Sequence, residues 1–454
     1  MNMENIFVNE ERELHIDNLG SNGEGVAHTP LTVFVAGALP GEDVLARITM
    51  VKKNYAVASL IKIINKSPDR VEPECKYYEK CGGCQLQHLS YEAQLKMKRQ
   101  QVEDALLRIG HLQCEVQPVI GMNEPWYYRN KMQFPVSDEH GTLEIGCYAV
   151  KTHGVVDAKE CIIQEDGNNH VLAAVRFWMK LYQVSAYNEK LQTGLVRHVM
   201  ARVTGNDVMV VLVVNGDKLP YKDELIDILQ KMVPHFKSLF INVNKANTNI
   251  ILGKESKLLF GTEKIQQVLN GLKFNISPES FFQVNTKQAA VLYDLVKQFA
   301  HLTKKEKVVD VYCGTGTIAL YLAKEARQVL GIEIVQQAIA NAKENAKLNN
   351  FVNAVFVCGD GAIQLPQMLS SGVKPNVIVV DPPRAGCEER VLRTVIASAP
   401  QRVIYVSCNP ATLARDLAIL SSDFAIEKVQ PVDMFPHTNH VETVVALVHK
   451  IYCS

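Results

Sequence analysis

Cys408 stands in the run Ser407-Cys408-Asn409-Pro410, between an apolar stretch, RVIYV, and a helix-like one, ATLARDLAILSS. A cysteine at the carboxyl end of a strand, just before a helix, feels the positive end of the helix dipole. That field is expected to lower its thiol pKa and make it a nucleophile. Further on, FPHTNHVE (435–442) ends in Glu442, which opens the last long strand-like run. A carboxylate there can act as a general base, with His437 and His440 as rivals or orienters. A second constellation is Cys75-x5-Cys81-Gly-Gly-Cys84, with Cys161 far downstream. Four thiolates can hold zinc or an iron–sulfur centre, and the glycines let the loop wrap closely; the spacing is not the usual two-plus-two of zinc.

A third motif is Asp310-Val-Tyr312-Cys-Gly314-Thr-Gly316-Thr317, leaving a strand and entering a helix. The glycines let the backbone pass close under a ligand. Glu333 ends the next strand, 19 residues after Gly314, where a carboxylate can accept both ribose hydroxyls. The third glycine of a dinucleotide loop and the Gly-Lys-Ser/Thr of a phosphate-gripping loop are both missing. A nucleoside without a pyrophosphate is therefore expected, and S-adenosylmethionine fits best. Asp360 ends the third strand, within reach of an adenine amino group. Asp381-Pro382-Pro383-Arg384 ends the fourth; its two prolines make a stiff loop that presents Asp381.

A thiolate is useful beside a methyl donor for one reason. Carbon-5 of uracil is too weak a nucleophile to attack a sulfonium methyl. Addition of a thiolate at carbon-6 turns the ring into an enolate, carbon-5 then attacks, and a base removes the carbon-5 proton so that the thiol can leave.

The surrounding elements must position these groups. From 274 onward, strand-like and helix-like runs alternate, which predicts an α/β, doubly wound, largely parallel sheet. Ligands of such sheets bind at the carboxyl ends of strands. Residues 6–66 read as five short strands (IFVNE, ELHIDNLG, TVFVAG, DVLARITMV, AVASLIKII) with glycine turns, an OB-like β-barrel. From Leu45 to Lys66 there are five basic residues, Arg47, Lys52, Lys53, Lys62 and Lys66, and no acidic one, a local face for RNA. A helix is expected from Tyr91 to Ile109, carrying the KMKR run (Lys96 to Arg99) for phosphates. Residues 118–260 form an α/β middle region in which VMVVLVVNG is a buried strand and DELIDILQKMV a helix. The expected division is 1–66, 67–270 and 271–454.

The chain has 454 residues, 48 basic and 48 acidic, so a uniformly basic coat protein is excluded. Hydrophobic residues at 47% and charged residues at 21% exclude disorder as the main state. No apolar run is long enough to span a membrane, and the polar N-terminus, MNMENIFVNEERE, shows no secretory signal. A cytoplasmic location is expected, where the 11 cysteines stay reduced. Nothing in the sequence calls for an obligate protein partner.

Together, C-x5-C-G-G-C, SFFQVN, DPPR, SCNP and FPHT-x-H-x-E resemble the TRAM-containing RNA uracil-5 methyltransferase family, the bacterial 23S rRNA enzymes in particular, over nearly the whole chain. The resemblance implies an N-terminal TRAM domain and a C-terminal Rossmann-like methyltransferase domain. It implies a 4Fe-4S cluster on Cys75, Cys81, Cys84 and Cys161, the nucleophile at Cys408 and the base at Glu442. Cofactor contacts are implied at Gln283, Tyr312, Glu333 and Asp360, with Asp381 between cofactor and target base. Thr317 departs from an asparagine found in some relatives. Arg129 and Lys131, in WYYRNK, match a region near the RNA. The substrate is expected to be RNA with a flipped-out uridine, 23S rRNA rather than tRNA because tRNA enzymes usually lack the barrel. Two other classes fit less well. A radical enzyme expects C-x3-C-x2-C, and a non-catalytic iron–sulfur RNA-binding protein expects a lost nucleophile or base.

Overall fold

The computed structural model describes residues 6–139, 141–150, 152–205 and 207–453. The first five residues of the polar N-terminus lie outside them. Strands β1 (Glu11–His15), β2 (Asn18–Leu19), β3 (Gly25–Ala27), β4 (Thr32–Ala36), β5 (Asp43–Val51) and β6 (Tyr55–Asn65) form one sheet, in the order β1-β5-β6-β4-β3-β2. Alternate side chains, among them Val44, Ala46 and Ile48, fill a small core of its own. The expected first strand, IFVNE, does not form. Asn9 takes a φ of +69°, a left-handed turn that breaks an extended backbone, and Phe7 is exposed.

The middle region contains α1 (Tyr91–Arg108), β7 (Lys131–Ser137), β8 (Glu144–Tyr148), β9 (Val155–Asp157), α2 (Asp166–Leu181), β10 (Val196–Thr204), β11 (Asp207–Val214), α3 (Lys222–Met232), β12 (Phe236–Val243) and β13 (Glu255–Gly261). Its strands run in the order β13-β12-β11-β10-β7-β8-β9. The VMVVLVV run is buried on both faces. Val208, Val210 and Leu212 pack on α2 and α3, whereas Met209 and Val211 join the core of the C-terminal unit. Helix α1 leaves the middle sheet and packs on the C-terminal unit, with Val102, Ala105 and Leu106 in one of its two cores.

That unit holds β14 (Ile265–Leu269), β15 (Leu272–Ile276), α4 (Thr286–Ala300), β16 (Lys307–Val311), α5 (Thr317–Ala323), β17 (Gln328–Glu333), α6 (Gln336–Leu348), β18 (Ala354–Cys358), α7 (Gly361–Ser370), β19 (Val377–Val380), α8 (Glu389–Ser398), β20 (Arg402–Ser407), α9 (Pro410–Leu420), β21 (Phe424–Val432) and β22 (Glu442–His449). Its main sheet runs β18-β17-β16-β19-β20-β22-β21. The first five strands are parallel, and β22 inserts antiparallel between β20 and β21. The order reverses between β16 and β19, so a crevice opens there above the strand ends. Helix α7 is weakly marked in the sequence because Pro366 interrupts its pattern; Asp360 caps its start.

Candidate active site

On one side of the reversal lie the ends of β16, β17 and β18. Tyr312 takes a φ of +70°, and Gly314 and Gly316 follow at +54° and +80°. A Cβ on Gly316 would sit 3.0 Å from the Phe356 ring, so only glycine lets α5 start this close to the sheet. Above Gly314 the space is open. Glu333 faces this loop: its carboxylate accepts from the Gly314 amide at 3.2 Å and from the Val335 amide at 2.9 Å. Asp360 accepts from the Ala362 amide at 2.8 Å, which leaves its second oxygen for a ligand. Thr317 accepts from the buried Tyr293 hydroxyl at 3.1 Å.

On the other side lie the ends of β19, β20 and β22. Ser407 pairs with Thr443 across β20 and β22, and the next step of that register sets Cys408 beside Glu442. Asn409 caps α9 by accepting from the Ala411 amide at 3.0 Å, with Pro410 in the first turn. Its amide nitrogen also donates to the Arg384 carbonyl at 3.1 Å, and the Thr412 hydroxyl to the same oxygen at 3.3 Å. The DPPR and SCNP loops are thus stitched together. Gln283 is fixed from the middle region: the Asn130 side chain donates to its carbonyl at 3.1 Å, and the Asn130 amide to Val284 at 2.8 Å.

One cavity of about 1350 Å³ joins the two sides and reaches the middle sheet. Its walls include all eleven residues that the resemblance makes catalytic groups, cofactor contacts or cluster ligands: Gln283, Tyr312, Glu333, Asp360, Asp381, Cys408, Glu442, Cys75, Cys81, Cys84 and Cys161. Arg129 and Lys131 line it too, and so does Arg384, whose part in its own motif the sequence did not reveal.

Burial dominates the electrostatics. It pushes the Glu442 carboxyl up to about 8, with help from the Asp381 charge and against the Arg384 guanidinium. It pushes Asp381 up to about 7. The Cys408 thiol is likewise raised to about 11, by burial first and then by Glu442 and Asp381; Arg384 opposes. This corrects the expectation of a lowered thiol pKa. In the ligand-free protein, desolvation and two carboxylates outweigh the field of one helix end. A cationic ligand would act in the direction in which Arg384 already acts on Cys408 and Glu442. The rival bases recede. His437 stacks on Trp126 at 3.6 Å, burial lowers it to about 3, and its amide donates to Gln94 at 3.0 Å, so it is a packing residue. His440 lines the cavity but burial, with Arg384 and Lys98, holds it down to about 4, so it stays neutral.

The thiol wall closes the far end. The Cys81 segment is bridged to Ala149, and the Gly82 amide donates to Tyr148 at 2.9 Å. The Gly83 amide points at the Cys81 sulfur, 3.4 Å away. Cys161, unmarked by its neighbours in sequence, is brought in by Asn169, which accepts from its amide at 2.9 Å. Burial raises Cys84 to about 12 and Cys161 to about 11. A fifth thiol, Cys147, lies here as well, and no sequence spacing points to it. Among the described residues, no group of three ligand-type side chains is set to hold a single metal ion.

Outside the cavity, Lys52, Lys53, Lys62 and Lys66 are exposed on the N-terminal sheet, while Arg47 is engaged by Glu11 at 2.6 Å. A loop of that sheet touches the loop bearing Glu442, where the Asn439 side chain donates to the Ser21 carbonyl at 2.8 Å. Of the KMKR run, Lys98 is wholly buried and cannot meet a phosphate, and Arg99 pairs with Glu103 at 2.9 Å, while Lys96 stays exposed.

Residues 90–450 match the tRNA (uracil-5-)-methyltransferase family, and residues 7–61 match the TRAM domain. The chain belongs to the tRNA (uracil-5-)-methyltransferase family. It is an S-adenosylmethionine-dependent RNA methyltransferase. Relatives in this family include an uncharacterized RNA methyltransferase of Halalkalibacterium halodurans, 47% identical over 97% of each chain, and one of Clostridium tetani, 46% identical over 97% of each. Among solved structures, the tRNA (uracil-54, C5)-methyltransferase of Pyrococcus abyssi in complex with S-adenosyl-L-homocysteine superposes with a TM-score of 0.79. It is 30% identical and covers 96% of this chain and 100% of its own. Among the described residues no helix is long and apolar enough to cross a membrane.

Proposed function

We propose that this enzyme methylates carbon-5 of a uridine in RNA, 23S rRNA being the substrate expected from the sequence, through a transient bond between Cys408 and carbon-6 of the ring. The observation that carries this reading is the meeting of Cys408, Glu442, Asp381 and Arg384 at neighbouring strand ends, in the cavity that also holds the glycine loop. S-adenosylmethionine supplies a methyl group on a sulfonium. Glu333 and Asp360, each held by backbone amides, would take its ribose and adenine, and Tyr312 and Gln283, which line the same cavity, would flank it. Cys408, as thiolate, adds to carbon-6 and drives electrons onto the ring oxygen. Arg384 favours that thiolate. After carbon-5 is methylated, Glu442 takes its proton, the ring double bond reforms, and the bond to Cys408 breaks. Asp381 would stand between donor and base. In this reading residues 1–66 hold RNA, the middle region as far as β13 closes the cavity and carries the thiols, and the unit from β14 onward does the chemistry; the expected boundary at 270 falls inside the β14–β15 hairpin.

The thiol wall suits the 4Fe-4S cluster that the family resemblance implies. Four half-buried thiols line one cavity, and a backbone amide is aimed at one sulfur. A cubane takes one thiolate per iron and needs no convergence on a single point. Cys75, Cys81, Cys84 and Cys161 would hold it, and it would supply a rigid brace rather than a step in the transfer.

A second substrate, tRNA, is favoured by the Pyrococcus abyssi structure. It matches 96% of this chain, which leaves too little uncovered to omit the N-terminal sheet. The barrel therefore does not separate the two substrates. The test is methyl transfer to 23S rRNA fragments and to tRNA transcripts, with the product position mapped. Cys408→Ala should bind S-adenosylhomocysteine and transfer nothing. Glu442→Gln should accumulate a protein–RNA adduct stable to denaturing gels. Normal turnover by Glu442→Gln would remove Glu442 from its role, and methylation of tRNA alone would replace the rRNA reading.

A further inference from the structure

The DPPR loop runs on as Asp381-Pro382-Pro383-Arg384-Ala385-Gly386-Cys387. Its two prolines carry no amide hydrogen, so the loop offers a neighbour chiefly carbonyls. Helix α9, which starts two residues after Cys408, supplies the donors. The Asn409 side chain and the Thr412 hydroxyl share the Arg384 carbonyl. Arg415 Nη2 donates to the Ala385 carbonyl at 3.0 Å and to the Cys387 carbonyl at 3.3 Å. Asp416 is wholly buried. Its carboxylate accepts from the Cys387 amide at 2.7 Å, from the Tyr405 hydroxyl of β20 at 2.6 Å and from Arg415 Nε at 2.7 Å. Asn409, Thr412 and Asp416 follow the i, i+3, i+7 spacing of one helix face. The loop lies flush on this face: Gly386 takes a φ of +80°, and a Cβ there would sit 2.5 Å from Arg415 Nη2 and 2.7 Å from the Asp416 carboxylate.

We infer that Asp416 is a positioning residue for methyl transfer: with Arg415 it clamps the 381–387 loop to α9 and so fixes where Arg384 stands relative to Cys408. A buried ionic group is a poor source of stability, since apolar replacements of the same shape are often neutral or stabilising. Charge-assisted bonds to several partners give a defined geometry instead. Here the partners come from the 381–387 loop, from β20 and from α9, and the last two flank Cys408 in the chain. The nucleophile and the loop bearing Arg384 are thereby joined into one body. Arg384 and Cys408 line the cavity, whereas Asp416 does not, so Asp416 acts through Arg384. This rests on the reading above in which the Arg384 guanidinium favours the Cys408 thiolate.

The test is alkylation of Cys408 by iodoacetamide across pH in the cofactor-free full chain, read by peptide mass, with the exposed Cys453 as internal reference. Arg384, Glu442 and Asp381 are the charged groups that act on this sulfur. Arg384→Leu should move the profile to higher pH. In Asp416→Asn one carboxylate oxygen gives way to an amide that cannot accept, and the profile should move the same way. Alkylation at about pH 8 should slow by about threefold, as for a midpoint about 0.5 higher. Adding Asp416→Asn to Arg384→Leu should change nothing further, and Cys453 should react alike in every variant. Arg415 is half exposed, so Arg415→Gln carries the test if Asp416→Asn does not fold, and it should slow Cys408 as well. A folded Asp416→Asn or Arg415→Gln that reacts as fast as the wild type, or faster, overturns the inference alone, as does a further shift in the double variant. An unmoved Arg384→Leu removes the reading of Arg384 and the inference with it.

Discussion

The Lys98 ammonium lies 2.5 Å from the Asp433 carboxylate, and both side chains are wholly buried. Lys98 also donates to the Phe435 carbonyl at 3.0 Å, and Tyr91 donates to the second Asp433 oxygen at 2.9 Å. Helix α1 thereby anchors the start of the loop that ends at Glu442. Lys98→Met should leave a buried carboxylate unpaired and cost about 3–5 kcal/mol of stability. Urea unfolding measures this. The double variant Lys98→Met/Asp433→Leu should recover much of the deficit; a double variant no more stable than Lys98→Met alone would show that the pair is not the cause.

Glu442 and Asp381 are both raised in the folded protein, to about 8 and about 7. A raised carboxyl contributes its stability fully below its unfolded pKa, and that stability is lost as pH rises through the folded pKa. The wild type should therefore lose stability between about pH 4.5 and 8, the span from the ordinary glutamate value to the folded one. Glu442→Gln lacks this decline. Its melting temperature should match the wild type at about pH 5 and exceed it by a few degrees at about pH 8.5. A difference that is the same at both pH values would contradict the assignment.

Arg384 opposes the burial of the Cys408 thiol. In the cofactor-free enzyme, alkylation of Cys408 by iodoacetamide should accelerate with pH towards a midpoint of about 11. In Arg384→Leu the curve should move to higher pH, so alkylation at about pH 8 slows. Peptide mapping separates Cys408 from the other thiols. An unmoved profile would show that the guanidinium does not act on this sulfur.

The lysines of the N-terminal sheet should act through phosphates. Replacing Lys52, Lys53, Lys62 and Lys66 by alanine should weaken RNA binding evenly across sequences. The slope of log affinity against log salt should fall by about 0.7 for each single-strand phosphate that is no longer neutralised. Binding of S-adenosylhomocysteine should not change. An unchanged salt slope would place the RNA elsewhere.

Much of this protein is legible because its signals are local. Strand-to-helix junctions, glycine loops and DPPR declare themselves over a few residues. The rule that parallel sheets bind ligands at strand ends then aligns Tyr312, Glu333, Asp360, Asp381 and Cys408 without any tertiary information. The motif thiols Cys75, Cys81 and Cys84 are legible for the same reason. Cys161 is marked by the resemblance to relatives, not by its own surroundings.

What the sequence by itself determined, then, was the identity of the candidate groups and the order of the elements that carry them. Tertiary structure decided what surrounds each group. Insertion of β22 between β20 and β21 put Glu442 beside Cys408. Burial of α1 turned Lys98 from a phosphate contact into half of an ion pair. Pairing of β8 and β9 brought Cys147 to the wall. The raised thiol of Cys408 has the same origin. A pKa depends on desolvation and on charges brought near by residues distant in the chain, and spacing along a sequence carries neither.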